Sequence, residues 1–87
     1  MFEVTTIKDV KLKIGEVCKD LRRKNGLTRI ELAKDLAVSS TTIQNIENGK
    51  NSTLDNLLKV AYHFGYLETL YKQIEKNLSD QDEISLY

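Results

Sequence analysis

An all-α fold of five helices is predicted for this chain by two observations. Helix-start and helix-stop signals recur at short intervals, and the apolar residues between them fall on helical rather than alternating spacing. The second and third helices are marked most sharply. Thr28 with Glu31 three residues on forms a capping box, in which hydroxyl and carboxylate satisfy amides that a helix start leaves unpaired. A helix therefore begins near Thr28. Ser39 can cap the next one, and Gly49 can take the left-handed conformation that ends it, so that helix spans roughly Ser40 to Asn48. The two helices are short and joined by a tight turn.

The remaining elements follow from the same signals. Helix 1 begins between Lys8 and Lys13, where Gly15 leaves its start open, and runs to about Lys24. Val10, Ile14, Val17, Cys18 and Leu21 form its inner stripe and Gly26 its stop. Phe2 to Thr5 alternates apolar and polar residues, which fits a short strand or a frayed arm equally well. Leu54, Leu57, Leu58, Ala61 and Phe64 make a fourth helix after a Ser52 or Thr53 cap, closed by Gly65. A fifth, about 66–78, carries Leu67, Leu70, Tyr71, Ile74 and Leu78 on one apolar face. In the tail, 79–87, the acidic and polar stretch from Ser79 to Glu83 is expected to be solvated, with Ile84, Leu86 and Tyr87 free to dock elsewhere. The whole, 1–87, reads as one domain with its core at about 13–64.

Helix 3 has an unusual composition. Ile43 and Ile46 face inward with Val38 just before the cap, while Ser40, Thr41, Gln44, Asn45 and Asn48 fall on one stripe at a period of 3.6 residues. All five are uncharged hydrogen-bonding groups. Asn and Gln amides can bond bidentately to adenine, Ser and Thr can bond to several base edges, and a Thr methyl can touch the thymine methyl. The stripe is therefore either a base-reading surface for a major groove or simply a solvated face.

Composition limits the alternatives. The formal net charge is zero, but residues 1–50 carry ten Lys and Arg against seven acids and residues 51–87 three against six. That asymmetry points the first half toward phosphate. Lys19, Arg22, Arg23 and Lys24 also complement the negative pole of helix 1, whereas Arg29, in a helix's first turn, opposes the dipole and needs another reason to be there. A phosphate contact would supply it. No apolar run reaches the roughly 18–20 residues of a membrane span, and Met1 to Val10 does not read as a signal peptide, so a cytoplasmic protein without membrane contact is expected. Cys18 reads as core rather than a reactive thiol, and His63 as a surface or half-buried side chain, because no second His or Cys stands at ligand spacing. No metal, cofactor or catalytic constellation is indicated, so an enzyme is not expected.

The segment from about Ile14 to Phe64 resembles the helix-turn-helix domain of the phage repressor and Cro family, the Xre type. The resemblance rests on Arg22 to Leu27, "RRKNGL", on the helix-2 opening "TRIELA", and on "TTIQNIENGK", which resembles the family's third helix and exit turn. Ala33, Ile43 and Ile46 occupy the small and apolar positions that let helices 2 and 3 cross closely. Ala37 departs from the pattern, standing where the family usually has Gly in the turn. The resemblance implies double-stranded DNA as partner, with Ser40, Thr41, Gln44 and Asn45 on bases and Arg29, Thr42, Asn48, Lys50 and Asn51 on phosphates. It also implies an ion pair between Arg22 and Glu47.

Two further surfaces bear on function. Tyr62, Tyr66, Leu67, Leu70, Tyr71 and Ile74 are more apolar surface than a small four-helix core can cover, which suggests a homodimer interface around helix 5, with full internal packing as the alternative. "TIKDVKLKIGEV" and the segment after "FGYLETL" resemble small Xre-type proteins that accompany HipA-like kinase toxins, which implies a toxin as a second partner. Three classes thus stand open: a sequence-specific repressor, an antitoxin that binds operator and toxin, and an interaction module whose polar stripe is idle.

Overall fold

Five α-helices follow one another, α1 (Ile7–Lys24), α2 (Arg29–Leu36), α3 (Ser40–Glu47), α4 (Leu54–His63) and α5 (Leu67–Ser85), in a computed structural model that describes residues 4–85, with side-chain surroundings through residue 80. No strand occurs among the described residues, and Val4 and Thr5 are irregular. Phe2 and Glu3 of the expected strand or arm, Leu86 and Tyr87 of the tail, and the Ile84 side chain lie outside the described residues.

Thr6, Thr28, Ser39 and Thr53 cap the first four helices, each hydroxyl accepting from the backbone amide three residues on. α1 starts earlier than the Lys8–Lys13 interval because Thr6 and Asp9 form a second capping box. The Thr6 N–H donates to Asp9 Oδ2 and the Asp9 N–H to Thr6 Oγ1, both at 3.0 Å. An Asp where Glu or Gln is usual makes that box easy to overlook.

The exits of α1 to α4 share one turn. The amides of Leu27, Val38, Lys50 and Tyr66 donate to the carbonyls of Arg22, Ala33, Asn45 and Ala61 at 2.8–3.0 Å, with Gly26, Ala37, Gly49 and Gly65 left-handed between them. This is the Schellman closure. Ala37, at φ 57 and ψ 44, is the one of the four that carries a Cβ, so the α2–α3 turn adopts the geometry a glycine would take without strain.

Cys18, Leu32, Ala33, Ile43, Ile46 and Val60 form the buried core, with Leu27, Leu36, Val38, Leu57 and Phe64 packed around it. α3 sits centrally, against both α1 and α2, while α4 closes on α2 and carries α5. The α1–α3 crossing depends on Gly15. A Cβ there would stand 2.5 Å from the Ile46 carbonyl oxygen and 2.6 Å from that of Glu47, so only a glycine lets the backbones meet. The same crossing corrects the inner stripe read for helix 1. The buried face is Gly15, Cys18 and Arg22, with Leu21 half-buried and Ile14 at its border beside Ile46 and Leu57, whereas Val10 and Val17 face outward, Val17 at 58 % exposure. A residue without a side chain and a charged one make up most of that face, and apolar periodicity does not register either.

Two other expectations change. Leu54, in the first turn of α4, is 70 % exposed rather than core, and Val60 is buried in its stead, because α4 turns Leu57, Val60 and Phe64 inward on an i, i+3, i+7 stripe. α5 continues past residue 78 to Ser85, since no Gly or Pro interrupts the acidic stretch taken for a solvated tail. The fold is elongated, 51 × 28 × 22 Å, with a radius of gyration of 15.4 Å. A compact chain of this length would have about 12 Å. α5 packs chiefly against α4 and leaves most of its apolar face uncovered.

Two glycine exchanges have opposite expected signs in denaturant unfolding. Ala37→Gly should stabilise the domain by up to about 1 kcal/mol by relieving the left-handed alanine. Gly15→Ala should destabilise it by about 1–3 kcal/mol, because backbone atoms rather than a flexible side chain block the new methyl. A neutral Gly15→Ala would contradict the close crossing.

Candidate nucleic-acid interface

Glu47, in the last turn of α3, gathers charge from two other helices. Arg22 of α1 clamps it bidentately, Nε to Oε2 at 2.7 Å and Nη2 to Oε1 at 3.0 Å, and Arg29 of α2 donates its Nε–H to Oε1 at 3.0 Å. The Glu47 side chain is fully buried and that of Arg22 only 10 % exposed. Arg22 also donates from Nη1 to the Leu27 carbonyl at 2.9 Å, tying the α1–α2 turn into the cluster. The planar guanidinium fork matches carboxylate geometry, and the Arg22–Glu47 pair therefore holds orientation as well as charge.

Burial alone would push the Glu47 carboxyl upward, but the hydrogen bonds from Arg22 and Arg29 and their positive charges outweigh it and hold the carboxyl below the ordinary value. The Arg22 guanidinium is raised by its hydrogen bond to Glu47. Beside them Cys18 is pushed up to about 11 by burial, with the Glu47 charge adding to the effect. It stays a neutral thiol, as a core residue does.

With Ile43, Ile46 and Glu47 turned inward, the opposite side of α3 is left to solvent. Ser40, Thr41, Gln44 and Asn48 are exposed and Asn45 is half-buried. Ser40 and Gln44 share an open depression with Thr28, Arg29 and Ile30, so the start of α2 and the polar stripe of α3 border one surface. Thr42 is half-buried, with its Oγ1 2.9 Å from the Ser39 hydroxyl at the helix cap. Asn48 caps the C-terminus of α3, and Lys50 and Asn51 follow it exposed. The Lys11 ammonium donates to Asn51 Oδ1, which brings α1 to this exit turn.

Two features of the site were missed in reading the chain. Arg29 has a structural partner in Glu47, which accounts for a cation in a helix's first turn. Lys11 belongs to the exit turn, and its place four residues before Gly15 on the buried side of α1 is the signal that could have found it. His63 lies 3.8 Å from Asp35 and edge-on to Phe64, and among the described residues no cluster of His, Cys, Asp or Glu could hold a metal.

Two short helices locked at a fixed angle, with an uncharged polar face displayed on the second, define a helix-turn-helix DNA-binding regulator. Residues 19–71, from the second half of α1 into α5, match the helix-turn-helix family model. The chain belongs to this family, in its Xre-like form. A search of the curated proteins finds no match. Among the described residues no helix is long and apolar enough to cross a membrane.

Glu47→Ala should cost about 3–5 kcal/mol in unfolding free energy, because it leaves Arg22 buried and unpaired. A loss well under 1 kcal/mol would mean that the cluster carries no stability. The acid response has a defined sign. The folded-state Glu47 carboxyl lies below its unfolded value, so its contribution is complete above about pH 4.3 and is lost as pH falls through the folded value. Glu47→Gln should remove part of the acid sensitivity in melts between neutral and low pH. Asp9 and Glu31, held low by hydrogen bonds from Thr6 and Thr28, keep the remainder.

Proposed function

We propose that this protein is a sequence-specific repressor that binds a near-palindromic operator as a homodimer, with α3 in the major groove. The observation that supports this reading is the outward face of α3, a run of hydroxyls and amides on a helix whose other side is fixed by Ile43, Ile46 and the Glu47 cluster. Such a face offers donors and acceptors to base edges without charges that would favour phosphate regardless of sequence. Ser40, Thr41, Gln44 and Asn45 face the bases. Arg29, Thr42, Asn48, Lys50 and Asn51 face the phosphates on either side. Arg29 serves both purposes, since a guanidinium has five N–H groups and Glu47 takes only the one on Nε.

One short helix reads too few base pairs to find its site among a genome's competitors, so the reading includes a dimer whose two reading helices lie about 34–36 Å apart on one face of the duplex. Tyr66, Leu67, Leu70, Tyr71 and Ile74 are all exposed and supply the interface. An antitoxin role stands as a second reading, because the long projecting α5 offers a toxin the docking surface that such a partner needs.

Selection of bound duplexes from a random pool tests the proposal, with a two-fold symmetric motif as the expected result. Gln44→Ala or Asn45→Ala should each lose about 1–3 kcal/mol of discrimination at one base pair per half-site while binding to random DNA stays nearly constant. Full specificity in both variants would exclude the stripe. Lys50→Ala should weaken specific and random binding alike and reduce the salt slope by about 0.9 per lost phosphate contact. An unchanged slope would exclude that contact.

A further inference from the structure

The first turns of α1 lie along the exit of α3. A Cβ on Gly49 would stand 2.7 Å from Leu12 Cδ2 and 3.2 Å from Leu12 Cα, so the exit turn meets the α1 backbone just as Ile46 and Glu47 do at Gly15. This part of α1 stands outside residues 19–71, the span that matches the family model. It brings Lys11 to Asn51, across 40 residues of sequence, and the Lys11 ammonium donates to Asn51 Oδ1. Lys11 and Lys50 also border one small cavity, together with Ile14, Ile46 and Leu57. Lys11 is half-buried there and Lys50 is exposed.

The bond from Lys11 fixes how the Asn51 side chain is turned. An ammonium group only donates, so the atom it meets is the amide oxygen, and the NH2 group is left as the free end with two donors to offer an oxyanion. The lysines supply charge. Among the described residues no carboxylate forms an ion pair with Lys11 or Lys50, whereas Arg22 and Arg29 are both engaged by Glu47. Two uncompensated cations bordering one cavity attract an oxyanion more strongly than either does alone.

We infer that Lys11 completes a phosphate site at the exit of α3, holding the Asn51 amide with its NH2 group toward a backbone phosphate and adding its own charge to that of Lys50. This rests on the DNA-binding reading above and extends the phosphate-facing surface onto α1. Lys11 is a positioning residue for Asn51 as well as a source of charge. Such a contact sets the register of the protein on the duplex and carries no base preference.

The test measures the affinity of the full chain for its selected duplex and for a random duplex over a series of salt concentrations. Lys11→Met keeps an unbranched stem and removes the ammonium. It should weaken binding to both duplexes alike, by about fivefold per protomer near about 0.15 M salt, and lower the salt slope by about 0.9 per protomer, with discrimination and helix content unchanged. Lys11→Arg, which retains a cation and N–H donors, should restore most of the slope. Asn51→Ala should cost less affinity in the Lys11→Met background than in the wild type, because the amide is then no longer held. Neutral methylphosphonates, placed one at a time along the selected duplex, locate the contact. One position per half-site should weaken the wild type and leave Lys11→Met nearly unaffected. An unchanged salt slope in Lys11→Met, or equal sensitivity of both proteins at every phosphate, overturns the inference, while loss of discrimination in Gln44→Ala would leave the base-reading stripe standing. A wild type that binds no duplex overturns both.

Discussion

The carboxylate of Glu47 is the constraint on which the rest of the domain depends. It stands at the end of α3, out of contact with water, and takes three hydrogen bonds from guanidinium groups on α1 and α2. A buried carboxylate without those partners would be unfavourable by several kcal/mol, so the three helices are stable only in an arrangement that brings Arg22 and Arg29 to it. An apolar contact of six side chains, without directional bonds, can tolerate slippage of one helix past another. A bidentate ion pair tolerates much less, because its geometry is fixed by the fork. The polar face of α3 is consequently presented at a defined angle, as recognition of base edges requires.

Backbone proximity makes that cluster reachable. Gly15 allows α1 to meet the α3 carbonyls of Ile46 and Glu47, which brings Arg22, two turns further along the same face, to the carboxylate. The Ala37 turn sets α2 against α3 at the cost of a left-handed alanine, and it carries Arg29 to the other side of Glu47. Locally unfavourable conformation and a buried charge are thus both accepted in the service of one helix orientation.

Much of this was legible in the chain, and what escaped has identifiable physical causes. Capping residues and left-handed exits announce themselves by residue type, so α2, α3 and α4 could be placed closely from Thr28, Glu31, Ser39, Gly49 and Gly65. The outward face of α3 was visible because hydroxyls and amides recur on one stripe. Apolar counting failed in part on α1, where the contact face is built from a glycine, a cysteine and an arginine while Val10 and Val17 point elsewhere. It failed again at Leu54, which a helical stripe accommodates as easily as Val60. The continuation of α5 was hidden by its acidity, which signals solvation but does not break a helix. The tie between Arg29 and Glu47 joins residues on different helices, and no local pattern encodes it.

The uncovered apolar face of α5 supports the proposed pairing, and the fixed α3 supports the proposed reading of DNA. Whether the Glu47-anchored helix presents its polar face to base edges is tested most directly by following backbone amide shifts of the wild-type protein residue by residue during titration with its selected duplex. The largest shifts are expected at Ser40 to Asn45, with smaller ones at Arg29 and from Asn48 to Asn51. Largest shifts on α4, or an α3 that does not respond while DNA is bound, would contradict it.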